Sequence, residues 1–175
     1  MMRRTIYIAL SVLLALLSCE PDGGGDNPLT SGTATINNIL SFDEATESYS
    51  LMGFSFVEAR LVSTLESTDY MTVGCADSVV NLQTNSYLNS FYLFGNFDDA
   101  VTAETVFNTL NSVSVASWSE WANPVSENQI WIFRTGKKTY AKLWIKSILI
   151  EPTDSVKCTF DWVYQPDGTL TFPGK

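Results

Sequence analysis

Thr139-Tyr140-Ala141-Lys142-Leu143-Trp144-Ile145-Lys146-Ser147 and, after a break, Val156-Lys157-Cys158-Thr159-Phe160-Asp161-Trp162-Val163-Tyr164-Gln165 decide the fold class. In the first, Ala141, Leu143 and Ile145 alternate with Tyr140, Lys142, Trp144 and Lys146. A period of two is that of a β-strand. The first set is predicted to enter a core. The second is predicted to form a solvated face whose aliphatic stems cover the aromatic rings. In the second stretch Val156, Cys158, Phe160, Trp162 and Tyr164 share one side. Pro166-Asp167-Gly168 then signals a turn before a short last strand at 169–172. Just upstream, residues 129–134 (QIWIFR) are rich in strand formers, and Thr135-Gly136-Lys137-Lys138 turns the chain back. Three or four neighbouring antiparallel strands are the natural arrangement.

Working outward, Ala34, Ile36 and Leu40 sit at even positions around Asn37 and Asn38. Met52, Phe54 and Phe56 alternate with Gly53 and Ser55, with a continuation through Val62. Segments 70–73, 79–82 and 88–94 are further strand candidates, with Ser, Thr and Asn on their other faces, as in antiparallel sheets with one wet side. One segment changes period: Ala103, Val106, Phe107 and Leu110 follow i, i+3, i+4, i+7 spacing, which predicts one short helix near 99–111, with Asp98, Asp99 or Thr102 as its cap. The expected fold class is therefore all-β, mostly antiparallel, with one short helix.

Composition removes several kinds of chemistry. The 175 residues contain no His, which excludes Ser-His-Asp and Cys-His catalysis, His-ligated zinc and bis-His haem. The net charge of -9 lacks the basic surface that nucleic-acid binding needs. The charge is uneven. Residues 20–127 hold 15 acidic residues and one basic residue, Arg60, whereas 128–175 hold four acidic and seven basic. Intramolecular complementarity is the simpler account, and a basic patch of Lys137, Lys138, Lys142 and Lys146 is the other. Adjacent carboxylates such as Asp98 and Asp99 read as helix-start groups rather than an acid–base pair, so no enzyme activity and no metal site is expected.

The first residues read as a processing segment. Arg3 and Arg4 precede a twelve-residue apolar run, Ile6 to Leu17. A membrane span needs about 20 such residues, so the run reads as an export signal covering 1–18. It ends in Leu16-Leu17-Ser18-Cys19, which resembles the lipobox of bacterial lipoproteins; the resemblance implies that Cys19 is acylated and begins the mature chain. Several acyl chains anchor a protein firmly where one does not. Residues 19–31, with Asp22, Gly23-Gly24-Gly25 and Asp26, read as a flexible tether, and its acidic character resembles the surface-export signals of Bacteroidetes lipoproteins. Residues 32–175 then form one domain.

Cys75 and Cys158 remain. An exported chain can join them in a disulfide, and two unpaired buried thiols are the other reading. Ser117-Trp118-Ser119-Glu120-Trp121 is an aromatic, turn-bounded loop. Trp118 and Trp121 either close an open sheet edge or present a contact surface for a sugar ring or a flat ligand.

The quoted stretches carry a resemblance. Ile130-Trp131-Ile132-Phe133-Arg134-Thr135-Gly136, then Lys138-Thr139-Tyr140-Ala141-Lys142-Leu143, then Thr159-Phe160-Asp161-Trp162-Val163-Tyr164-Gln165-Pro166-Asp167-Gly168 are similar to the tail of the HmuY-like lipoproteins of Bacteroidetes. That resemblance implies a HmuY-like β domain, attachment to the outer membrane and, for the best-known members, haem capture through two His ligands. No such ligand can be carried over. Some relatives are thought to use Met, and after processing only Met52 and Met71 are left; a thioether is a legitimate axial ligand that favours reduced iron. Met52 lies in an aromatic strand pattern, and Met71 at a loop-to-strand boundary is the better candidate. Two functions therefore stand: a surface lipoprotein of the outer membrane that binds a protein or glycan partner, and a haem-binding lipoprotein with Met ligands.

Overall fold

The computed structural model describes residues 29–173, apart from 45, 46, 68, 87 and 153. The signal segment, Cys19 and most of the tether lie outside the described residues. The elements run β1 (Ser31–Asn37), β2 (Ser41–Asp43), β3 (Ser48–Ser50), β4 (Met52–Ser55), β5 (Arg60–Ser63), β6 (Met71–Ala76), β7 (Val79–Thr84), β8 (Phe91–Asn96), α1 (Ala100–Thr109), β9 (Gln129–Arg134), β10 (Tyr140–Ile150) and β11 (Val156–Gln165). Every strand pairing among the described residues is antiparallel. The fold is mostly antiparallel β with one short helix, as the periodicities predict.

The strands form a five-stranded sheet of order β1-β11-β10-β9-β8, a four-stranded sheet of order β5-β4-β6-β7, and the hairpin β2-β3. The two larger sheets face each other across one aromatic core. Phe54 lies 5.7 Å from Phe160 and 5.2 Å from Trp162, and Phe56 lies 5.2 Å from Phe133. The alternating set of β11, from Val156 to Tyr164, is buried there with Ala141, Leu143 and Ile145 of β10. Such ring pairs add about 0.5–1.5 kcal/mol each beyond burial.

The opposite face of β10 is solvated at Lys146 but not at its centre. Lys142 has no exposed surface and Trp144 is buried. The helix covers them: Ala103 and Phe107 pack with Ile130, Trp144 and Val163 on the outer face of the larger sheet. Asp99 starts α1 by accepting from the backbone N–H of Thr102 at 2.8 Å. Lys142 Nζ closes the other end, donating to the carbonyls of Phe107 at 2.6 Å and Leu110 at 2.8 Å. A cation at a helix C-terminus meets carbonyls with no intrahelical partner, so the buried stem and the charge are both accommodated. Strand alternation alone did not anticipate a second layer over this face.

Other expectations also change. Strand β1 stops at Asn37, leaving Leu40 exposed. The expected run through Val62 is broken by a turn in which Ala59 has φ 53°, and β5 returns beside β4. The hairpin β2-β3 was not predicted. Residues 169–172 form no sheet strand and make one bridge, Ser112 to Thr171. The basic patch is divided, since Lys142 is internal and Lys146 lies 3.5 Å from Asp161. A further ion pair joins Arg60 to Glu58.

Candidate functional site

The outer face of the four-stranded sheet carries the polar site. Strands β6 and β7 pair with Thr72 opposite Gln83 and Gly74 opposite Asn81. Met71, Val73, Val80 and Leu82 point into the core, so the alternation turns Thr72, Gly74, Asn81 and Gln83 outward. Two glycines let side chains lie flat on this face. A Cβ on Gly53 would meet the Tyr70 side chain at 2.9 Å, and one on Gly74 would meet Asn81 Oδ1 at 2.9 Å. Tyr70 is thus seated on the backbone of β4. Gln83 Nε2 donates to Asn81 Oδ1 at 2.6 Å, which fixes both amides and leaves the Gln83 carbonyl oxygen as an acceptor.

A cavity of about 230 Å³ opens above this surface, lined by Tyr70, Thr72, Gln83, Thr84 and Asn85 with Leu51 and Thr64. Its lining holds phenol, hydroxyl and amide groups and no charged side chain. Desolvation raises the Tyr70 pKa above its ordinary 10.0, so at neutral pH the phenol keeps its proton and can both donate and accept. The arrangement can bind an uncharged ligand rich in hydroxyls, with an aromatic ring as an apolar seat. No acid–base pair or nucleophile is assembled in it.

Trp118 serves mainly as a cover. It stacks on Tyr140 at 5.8 Å and 24°, meets Tyr92 edge-on at 6.5 Å, and carries the Arg134 guanidinium 4.6 Å above its ring. Trp121 is about half exposed. The backbone around them joins the free edges of both sheets. Ser119 exchanges hydrogen bonds with Phe91, Ala122 does the same with Leu82, and Val125 N–H donates to Val80. Pairing of this kind covers edges that would otherwise recruit another chain.

Met71 has no exposed surface and packs in the core with Phe54. Met52 is partly exposed and lines a second cavity of about 350 Å³, walled by Phe42, Glu44, Arg60, Leu61 and Glu66 among others. The more accessible thioether is therefore that of Met52, and Met71 does not line this cavity. Cys75 and Cys158 are free thiols, Cys158 buried and Cys75 partly exposed, so the structure holds no bond between them. Desolvation and then the Asp154 carboxylate raise the Cys75 pKa; burial pushes the Cys158 thiol up to about 12. Asp99 is lowered by the Thr102 N–H, as expected of a helix cap. Among the described residues no cluster of three or more His, Cys, Asp or Glu could hold a metal ion.

Tyr70, Thr72 and Gln83 were not singled out by sequence. The available signal was Gly53 inside one predicted strand and Gly74 just past the end of another, beside polar residues. No family model matches the chain, and a search of curated proteins finds no match.

Proposed function

We propose that the chain is a lipid-anchored outer-membrane lipoprotein on a HmuY-like scaffold, displayed at the cell surface as a non-enzymatic binding protein for a neutral glycan. The observation that carries the ligand class is the uncharged cavity at Tyr70, Thr72 and Gln83. It lies in the part of the chain where acidic residues otherwise dominate. Hydroxyl and amide groups match the hydroxyls of a sugar, and an apolar ring face offers the burial that polar contacts alone do not supply. The lipobox-like end at Cys19 supports the anchor, and the tail from Ile130 supports the scaffold.

The test is calorimetric titration of the soluble domain with neutral and uronic-acid oligosaccharides. Binding of a neutral oligosaccharide, lost in Tyr70→Ala and in Gln83→Ala and retained in Trp118→Ala, is the expected result. Binding that survives Tyr70→Ala, or none with any neutral sugar, overturns the reading.

The second reading is a haem-binding lipoprotein, and Met52 carries it through its place on the cavity of about 350 Å³. A soft thioether favours ferrous over ferric iron. A Soret shift that appears only under dithionite and is lost in Met52→Ala would favour this reading; its absence in both redox states would remove it.

A further inference from the structure

The segment that closes the sandwich edge carries its two tryptophans to opposite faces. Ser119 pairs with Phe91 of β8, in the larger sheet, and Ala122 pairs with Leu82 of β7, in the smaller one. Both contacts are reciprocal: Phe91 and Ser119 exchange backbone bonds of 2.9 and 2.7 Å, and Leu82 and Ala122 bonds of 3.0 and 3.1 Å. In an antiparallel pair the residues flanking such a contact lie opposite each other, on the other face. At the first contact these are Tyr92 and Trp118, and their rings do meet, 6.5 Å apart. At the second they are Gln83 and Trp121. Leu82 and Ala122 have no exposed surface, so Gln83 and Trp121 turn away from the core, onto the face that carries Tyr70 and Thr72. Trp121 is 48% exposed there.

We infer that Trp121 is a second aromatic subsite beside the Tyr70 cavity, and that the ligand is a linear neutral oligosaccharide laid across the strands. This rests on the glycan reading and adds to it the length and direction of the sugar chain. Thr72 lies opposite Gln83, and Gln83 opposite Trp121, so the three make one row perpendicular to the strands. Tyr70, seated over Gly53 of β4, stands at the other end of that row. From β4 across β6 and β7 to residue 121 is three strand spacings, about 14 Å at about 4.8 Å each. A single hexose is too short to touch both rings, whereas a chain of several reaches from one to the other. The floor between them suits it: β4, β6 and β7 contain no charged residue, in a chain of net charge -9. Sugar hydroxyls therefore meet hydroxyls and amides along the row, with a ring face at each end. Trp118 has no part in it, since Tyr140 and Arg134 occupy its ring on the other outer face.

The experiment titrates the full-length protein in detergent with malto-, cello- and manno-oligosaccharides, each from the disaccharide to the hexasaccharide. In at least one series affinity should rise about ten-fold or more with length, because a second linked contact adds avidity. Trp121→Ala should bring the hexasaccharide down to the disaccharide's affinity and leave the disaccharide unchanged. Trp121→Phe should keep most of the gain, and Trp118→Ala all of it. The hexasaccharide, but not the disaccharide, should also quench tryptophan emission, and Trp121→Phe should remove the quench, which keeps the test open if the alanine variant does not fold. Affinity that does not grow with length, a gain that survives Trp121→Ala, or a quench that survives Trp121→Phe overturns the second subsite; if Tyr70→Ala still abolishes binding, the cavity reading stands without it. No binding of any series to the unaltered protein overturns both.

Discussion

Lys142 donates its Nζ to the carbonyl of Phe107 at 2.6 Å although the two residues are 35 positions apart and neither is exposed. The contact joins a strand to the end of the helix that covers it. Removing the ammonium leaves two carbonyls without this donor. Lys142→Ala is expected to cost about 3 kcal/mol in urea unfolding, and Lys142→Met, which keeps the stem volume, distinctly less. A loss under about 1 kcal/mol for the alanine variant would show that water replaces the ammonium at no great cost.

Gly53 and Tyr70 give a way to disturb the polar cavity without altering its lining. A Cβ at residue 53 would come within 2.9 Å of the Tyr70 side chain. Gly53→Ala should therefore displace the ring and weaken oligosaccharide binding at least ten-fold, about 1.4 kcal/mol, while circular dichroism keeps the β signature. Unchanged affinity would mean that the ring does not form the seat.

The two thiols differ in reactivity. In the folded protein a maleimide should label Cys75 slowly and Cys158 only after unfolding. Asp154→Asn should speed labelling of Cys75, because the nearby carboxylate disfavours the thiolate. Cys158 also sets a limit at high pH. Its folded thiol titrates at about 12 against an ordinary 9.0, so the unfolded chain loses its proton first. The sign follows from linkage: stability falls as pH rises from 9.0 towards about 12. Cys158→Ala should flatten that part of the curve, even though the cavity it leaves lowers stability at neutral pH.

Asp69 works in the opposite sense to a stabilising carboxylate. Desolvation raises its pKa above 3.8, outweighing the Gly136 N–H bond at 3.3 Å and the Lys137 charge. Its folded form therefore holds the proton more tightly than the unfolded chain does, and stability falls as pH rises above 3.8 towards the raised value. Asp69→Asn, which keeps an oxygen for Gly136 N–H, should raise Tm at neutral pH and leave it little changed below pH 3.8. A lower Tm at neutral pH would show that the charge itself is needed.

Processing is checked at Cys19. Intact mass spectrometry of membrane-extracted protein should give a chain beginning at an acylated Cys19, and Cys19→Ser should lose stable membrane association. An unmodified Cys19 sinks the anchor.

Strands that satisfy their own alternation were legible. The spans of β9 and β11, and the inner face of β10, follow from residue order, because side-chain direction in a strand is local. The helix was legible for the same reason, with Asp99 one of three residues offered as its cap. What could not be read depends on partners distant in sequence. Lys142 and Trp144 look like a wet face until α1 lies over them. Thr72 and Gln83 form a surface only through the register of β6 with β7. Trp118 announces aromatic area but not that Tyr140 and Arg134 use part of it. The short hairpin β2-β3, three residues a side, offers too little alternation to detect.

The pairing of β1 with β11, Ser31 opposite Val163 through Asn37 opposite Lys157, has a consequence for the time course of folding. Strands β9, β10 and β11 follow one another and can zip locally, but β1 must close a loop of more than a hundred residues, and loop closure slows assembly. A chain that emerges with its N-terminus first carries β1 unpaired until residues 157–163 have appeared. The larger sheet therefore closes only after β11 has emerged, and a chain shortened before residue 156 leaves β1 without its partner.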